Sequence, residues 1–223
     1  MGQPHLIRPL LRSALQLWLR SLVSQAERLE ITIDASDRQL LRGQVPEVML
    51  RVERAVYQGL YLHELSLQAA DIRLNLGQIL RGKPARLLAP VPAQLQTYVT
   101  EADLNQSLGS DLLASALATA TQHLLPNRQF SVGQVTLSPG QIHLQGQLSG
   151  GKQPQTPGPA CLSAHLVSQG AVLQANQVTL AQPGAPPPIN LPDQAFPLGD
   201  ATLQQLDITA EAIALRAQIK ILP

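Results

Sequence analysis

The chain has 223 residues and a mass of 24.0 kDa; 44% of the residues are hydrophobic, 14% charged and only 3% aromatic, with a formal net charge of +1. That length can bury a sizeable core and suits one elongated β-rich domain. The near-neutral balance, without Lys and Arg interleaved with aromatics, excludes a nucleic-acid surface, and the single Cys161 excludes an internal disulfide framework or a cysteine-rich zinc site.

Residues 1–28 read as an amphipathic helix. Ile7, Leu11, Leu15, Trp18 and Leu22 form one stripe, broadened by Leu10, Ala14 and Val23, and Arg8, Arg12, Ser13, Gln16 and Arg20 lie opposite. No acidic residue precedes Glu27. The segment therefore has the make-up of a helix lying in an anionic lipid interface, with Arg8, Leu11, Arg12, Leu15, Trp18, Arg20 and Leu22 as candidate membrane contacts. Packing of the same stripe on a sheet is the other reading, and both can hold at once. Arginines interrupt the apolar run, no small-residue cleavage site follows it, and no unbroken span of about 20 apolar residues occurs. Neither a cleavable signal nor a transmembrane helix is expected, and the location predicted is peripheral to a membrane, on its cytoplasmic side or in the envelope.

Residues 29–223 are expected to form a single domain. Val48, Leu50 and Val52 alternate with polar neighbours, and Gln58-Gly59 leads into Leu60-Tyr61-Leu62. One phrase then recurs: Leu65-Ser66-Leu67, Ala69, Ile72-Arg73-Leu74; Val135-Thr136-Leu137, Pro139, Ile142-His143-Leu144; and Leu206-Asp207-Ile208, Ala210, Ile213-Ala214-Leu215. Each copy reads as two half-buried strands joined by a tight turn or bulge. The copies stand roughly 70 residues apart, too far for the one-unit periods of solenoids, so they represent a reused hairpin. Between Thr100 and Leu125 the period becomes helical, with Leu104, Leu108, Leu112, Leu113, Leu117 and Leu124 on one broad face. Thr100 with Asp103 supplies a capping-box start and Pro126 a stop, so the spacing predicts a helix over 101–125. Pro- and Gly-rich stretches at 149–159 and 183–188 suit exposed loops.

The sequence offers little catalytic chemistry. Gly77 to Lys83 has the spacing of a phosphate-binding loop, but Pro84 replaces the hydroxyl that would reach magnesium, and Pro90 and Pro92 discourage the helix that would hold the phosphates. His63-Glu64 begins like a zinc-protease motif but lacks the second histidine. His143 and His165 lie in strand-like runs without a nearby acidic residue and read as solvent-face histidines. Cys161 carries no nucleophile signature, and Asn105-Gln106-Ser107 matches the glycosylation pattern inside a predicted helix, by chance. Carboxylates are scattered singly, so no enzyme, metal or cofactor is expected.

Ile31-Thr32-Ile33, the strand from Val48 to Val52, the run from Leu60 to Asn75, then Leu80-Arg81-Gly82-Lys83-Pro84 and Val99-Thr100-Glu101-Ala102-Asp103-Leu104-Asn105 resemble the DUF2993 family, the LmeA-like phospholipid-binding proteins. The resemblance spans most of the chain as an ordered series of short phrases. It implies a bacterial protein, cyanobacterial by preference, of the envelope or a membrane surface, binding phospholipid without catalytic residues. The order of elements is also similar to tubular lipid-binding folds.

The architecture expected is α+β: a curved antiparallel sheet of hairpins, an amphipathic N-terminal helix and a long central helix. Leu104, Leu108, Leu112, Leu113 and Leu117 are the candidate lining of an apolar groove for acyl chains, or else an ordinary helix-on-sheet core. Arg73, Arg81 and Arg86 are candidate headgroup contacts, or plain solvated arginines. The function expected is non-catalytic binding or transfer of phospholipid or another acyl lipid at a membrane surface. The alternative is a non-catalytic scaffold of an envelope or membrane complex.

Overall fold

The computed structural model describes residues 25–75, 78, 83, 86–150, 157–184 and 187–223. The candidate membrane contacts Arg8, Leu11, Arg12, Leu15, Trp18, Arg20 and Leu22 and the headgroup candidate Arg81 lie outside the described residues, as does most of the loop from Gly77 to Pro84. The first strand already begins at Gln25, so residues 25–28, assigned above to the N-terminal helix, are extended.

Two antiparallel sheets make up the fold. The first contains β1 (Gln25–Asp34), β2 (Gln44–Tyr57), β3 (Leu60–Arg73), β4 (Val91–Thr100), β11 (Thr202–Ile208) and β12 (Ala212–Ile221), in the order β1-β2-β3-β4-β12-β11. The second contains β5 (Gln129–Ser138), β6 (Gln141–Ser149), β7 (Gly158–Gln169), β8 (Val172–Ala181) and β10 (Gln194–Pro197), in the order β10-β8-β7-β6-β5, with the short β9 (Ile189–Asn190) paired to β8. The described helices are short: α1 (Asp37–Leu41), α2 (Glu101–Gln106), a 3-10 turn (Ser107–Gly109) and α3 (Asp111–Leu124).

This corrects the α+β expectation. The protein is mainly β; the described residues form two sheets where one curved sheet was expected, and no long central helix occurs among them. The helical period over 101–125 is real but interrupted. Ser107, only 1% exposed, donates its hydroxyl to the Asp103 carbonyl at 2.6 Å and accepts from the Tyr61 amide at 2.8 Å, which draws the chain against the β2–β3 turn. Ser110 then starts a new helix by accepting from the Leu113 amide at 3.2 Å. A serine that bonds backward to the preceding turn competes with helix continuation, and one at an N-cap begins the next helix.

Side-chain alternation explains the sheets. In β1 to β3 the cross-strand rows Leu29–Val52–Leu65, Ile31–Leu50–Leu67 and Ile33–Val48–Ala69 share one face, and Val48, Leu50, Val52 and Ala69 on it are buried. The other face is mostly polar, with Glu47, Arg51, Glu53, Glu64, Ser66 and Gln68, and carries an exposed Met49. The second and third copies of the recurring phrase form the hairpins β5–β6 and β11–β12. The first copy does not turn back: β3 runs straight through it, and Asp71, at φ 55°, breaks the alternation so that Ala69 and Ile72 are both buried. Local left-handed geometry shifts the facing side chains as a bulge does, which is why the same phrase serves two purposes.

The β2–β3 hairpin closes through Gln58 (φ 49°) and Gly59 (φ 82°), a two-residue turn that needs positive φ at both central positions. A Cβ on Gly59 would stand 2.9 Å from the Ser110 Cβ. Gly59→Ala is therefore expected to lower stability by about 2 kcal/mol, from strain at positive φ and displacement of the α3 N-cap, read as a reduced urea midpoint.

The sheets are joined by α2. The Asn105 amide accepts from the Val135 N–H and donates to the Val135 carbonyl, both at 2.8 Å, and the Glu101 carboxylate accepts from the Leu137 N–H at 2.8 Å. Since β5 is an edge strand, its backbone groups at Val135 and Leu137 are thus occupied by side chains in place of another strand. Thr100 and Asp103 form the reciprocal capping box that holds α2 in place. The second sheet also meets β11, through Gly140 N–H to the Ile208 carbonyl at 2.9 Å and Leu203 N–H to the Gly170 carbonyl at 2.8 Å.

Candidate apolar groove

Helix α3 carries two apolar stripes. Thr121 and Leu124 are buried and Leu113 and Leu117 half-buried along one, whereas Leu112, Ala116, Ala120 and His123 run along the adjacent side, where Leu112 is 41% exposed. Beneath that second stripe lies a groove of 660 Å³ between α3 and the second sheet. Its floor is the inner face of β6, β7 and β8, including Ile142, Leu144, Leu162 and Leu166, and Phe196 and Pro197 of β10 bound its side. The Thr121 hydroxyl, donated to the Leu117 carbonyl at 2.8 Å, adds no unpaired polarity to the buried stripe.

Alanines create the gap. Ala116 and Ala120 on the helix and Ala164 and Ala175 on the strands all line the groove, where larger side chains would fill the space. His123 closes one end with its ring edge-on to Phe196, centroids 6.3 Å apart. Among the described residues it is the only ionisable one of the lining; the other polar side chains there are Ser115 and Thr119, and the Thr119 hydroxyl is already donated to the Ser115 carbonyl at 2.9 Å. Such a wall can hold hydrocarbon and offers no paired acid and base for a reaction.

A second depression, of 550 Å³, crosses the first sheet on its polar face, between Arg51, Glu53, Glu64, Gln96 and Arg216. Burying an acyl chain there would strip water from charged groups without replacing it. The apolar groove is therefore the candidate site.

Of the residues proposed from sequence, Leu112 and Leu117 line the groove. Leu104 and Leu108 pack with Leu117 against the core of the second sheet, and Leu113 is half-buried on α3 outside the lining. Arg73 and Arg86 sit at an end of the first sheet, where the Arg73 carbonyl accepts from Leu88 and the Arg86 amide donates to the Asn75 side chain at 2.7 Å; neither lines the groove. His143 lies between two hydroxyls, Ser138 on Nε2 and Ser163 on Nδ1, each at 2.8 Å, and Cys161 is half-buried 3.8 Å from Ser163. His165 packs beside Gly140, His63 lies 4.0 Å from the Asp103 carboxylate, and the Asn105 amide is committed to β5.

Sequence reasoning missed Ala116, Ala120 and His123 on the helix and the whole strand side of the groove. The available signal was the apolar alternation Ile142-His143-Leu144, which marks the inner face of β6 without saying what lies over it.

Among the described residues no helix is long and apolar enough to cross a membrane, and no three His, Cys, Asp or Glu side chains come together as a metal site. No curated protein and no solved structure matches the chain. A family profile does, over residues 5–219 of the 223. By that match the chain belongs to the LmeA-like phospholipid-binding family.

Proposed function

We propose that this protein is a non-catalytic lipid carrier that holds an acyl lipid between α3 and the second sheet and exchanges it at a membrane surface. The observation that carries the reading is the 660 Å³ groove with an almost wholly apolar lining, open along the side where Leu112, Ala116 and His123 are exposed. Each methylene kept from water contributes about 0.8 kcal/mol, so hydrocarbon burial alone accounts for retention in solution. A chain moving from a bilayer into the groove leaves one hydrocarbon environment for another. The exchange is then close to balanced in free energy, which suits a carrier that must both load and unload.

The test is native mass spectrometry of the purified full-length chain, followed by organic extraction. The expected result is lipid at a fixed ratio to protein, displaced by added fatty acid. Protein that arrives bare and stays bare when mixed with vesicles is a scaffold rather than a carrier.

In the same assay Arg73→Gln with Arg86→Gln is expected to leave lipid retention within about twofold of the parent chain, because neither arginine reaches the groove. A larger loss would place the headgroup at that end of the first sheet.

A further inference from the structure

The first sheet has a dry apolar patch whose cover does not come from its own strands. Val52 is 0% exposed, Ala55 2% and Leu50 6%, and the three form one buried cluster on β2. Among the described residues, the apolar side chains packed against them are Leu29, Ile31, Leu65 and Leu67, all from β1 and β3 of the same sheet. Neighbours within a sheet lie beside a side chain and leave its tip open, so a sheet face loses its water only beneath a second layer. Helix α1 lies toward one end of this face, where Leu40 packs with Val45 and Val48. The α2 region meets β3 toward the other end, at His63 and Tyr61.

Reach along the chain selects the segment that can lie between them. The stretch between Asn75 and Arg86 is tied at its ends, where the Asn75 amide donates to the Arg86 carbonyl and the Arg86 amide to the Asn75 side chain. About five residues can run out and five back, a reach of about 17 Å. Leu65 lies farther up β3 from Asn75, at about 33 Å for an extended strand. The stretches 151–156 and 185–186 are shorter still and leave from the second sheet. Residues 1–24, in contrast, lead directly into β1, whose first residue, Gln25, stands opposite Val56 beside the dry patch.

The lengths agree. As a helix, the stripe Ile7, Leu11, Leu15, Trp18 and Leu22 would extend about 22 Å at about 1.5 Å per residue. From Val48 to Ala55, β2 extends about 23 Å at about 3.3 Å per residue. We propose that residues 7–22 form a helix lying on this face, with Leu22 over Ala55, Leu15 over Val52 and Ile7 over Val48. The stripe is thereby committed to the sheet, and Arg8, Arg12 and Arg20 point outward. Lifting the helix would return Leu50 and Val52 to water, so it stays in place at a bilayer and meets anionic lipid through the arginines instead of inserting Trp18. This placement does not depend on the lipid-holding reading of the groove.

Trp18 is the only tryptophan, so emission from the full chain reports on the stripe. The expected emission is blue-shifted, protected from acrylamide, and unchanged with phosphatidylglycerol vesicles whose acyl chains carry bromine. The chain should float with those vesicles at low salt and be released as salt rises. Cysteine pairs in a Cys161→Ser background locate the contact. Leu15→Cys with Leu65→Cys, and Leu11→Cys with Leu67→Cys, should be joined by a short bis-methanethiosulfonate linker. Leu15→Cys with Met49→Cys should not, because Met49 is exposed on the opposite face of β2. Linkage of Leu15→Cys to Leu166→Cys would overturn the placement by putting the segment in the α3 groove. Trp18 open to acrylamide in the parent chain, or no link in either face pair, overturns it as well. Quenching by brominated lipid, or no flotation at low salt, overturns the arginine contact alone.

Discussion

Replacing Ala120 by tryptophan should remove lipid retention while leaving the fold in place. Ala120 is half-buried and faces the groove from α3, between Ala116 and His123 along the same stripe. An indole there occupies the space of several methylenes. Displacing four of them forfeits about 3 kcal/mol of burial, which weakens binding by roughly 100-fold. The helix itself loses only a few tenths of a kcal/mol, because tryptophan is a moderate helix former. Ala118→Trp is the control: Ala118 is exposed, two residues away on α3, and does not line the groove. The measurement is displacement of a fluorescent fatty acid, paired with thermal unfolding of all three proteins. Equal loss in both variants would assign the effect to the helix, and no loss in Ala120→Trp would put the lipid somewhere else on the molecule.

The alanines also show where the sequence stops being informative. Strand periodicity is a local property, so Val48 to Val52 and the β5–β6 and β11–β12 hairpins could be read from alternation alone. What covers a sheet face is not local. Ile142 and Leu144 were recognisably half-buried, but nothing within β6 says that a helix lies over them with a gap between. The gap comes from small residues on both walls, and an alanine on an apolar face has the same signature whether it is packed or bordering a cavity. Leu112 and Leu117 could be named because leucines mark a stripe, whereas Ala116, Ala120 and the strand side could not. The helix break was lost for a related reason. Ser107 looks like an ordinary helical polar residue until the Tyr61 amide, far away in sequence, is brought to its hydroxyl. The α+β expectation overvalued an unbroken 3.6-residue period that tertiary hydrogen bonds interrupt.

Asn105→Ala should be the most destabilising single change at the junction of the sheets, by about 3 kcal/mol. The side chain makes two hydrogen bonds to Val135, one to its N–H and one to its carbonyl, and Val135 is 2% exposed, so water cannot readily replace either partner. Leaving a buried donor or acceptor without its partner costs about 1–3 kcal/mol each, well above the net worth of an ordinary hydrogen bond. The Glu101 carboxylate continues the same edge by accepting from Leu137, so α2 acts on β5 as a neighbouring strand would. Asn105→Asp separates the contributions: a carboxylate still accepts from the Val135 amide but cannot donate to the carbonyls of Val135 and Glu101, and more than half the loss should remain. Chemical denaturation gives the totals, and hydrogen exchange at Val135 and Leu137 gives the location. Fast exchange confined to those two amides in Asn105→Ala is expected if the side chain serves to close the edge. A uniform rise across the second sheet would instead mean that α2 holds the two sheets together as a whole, and the groove in Asn105→Ala would then lose its lipid along with its floor.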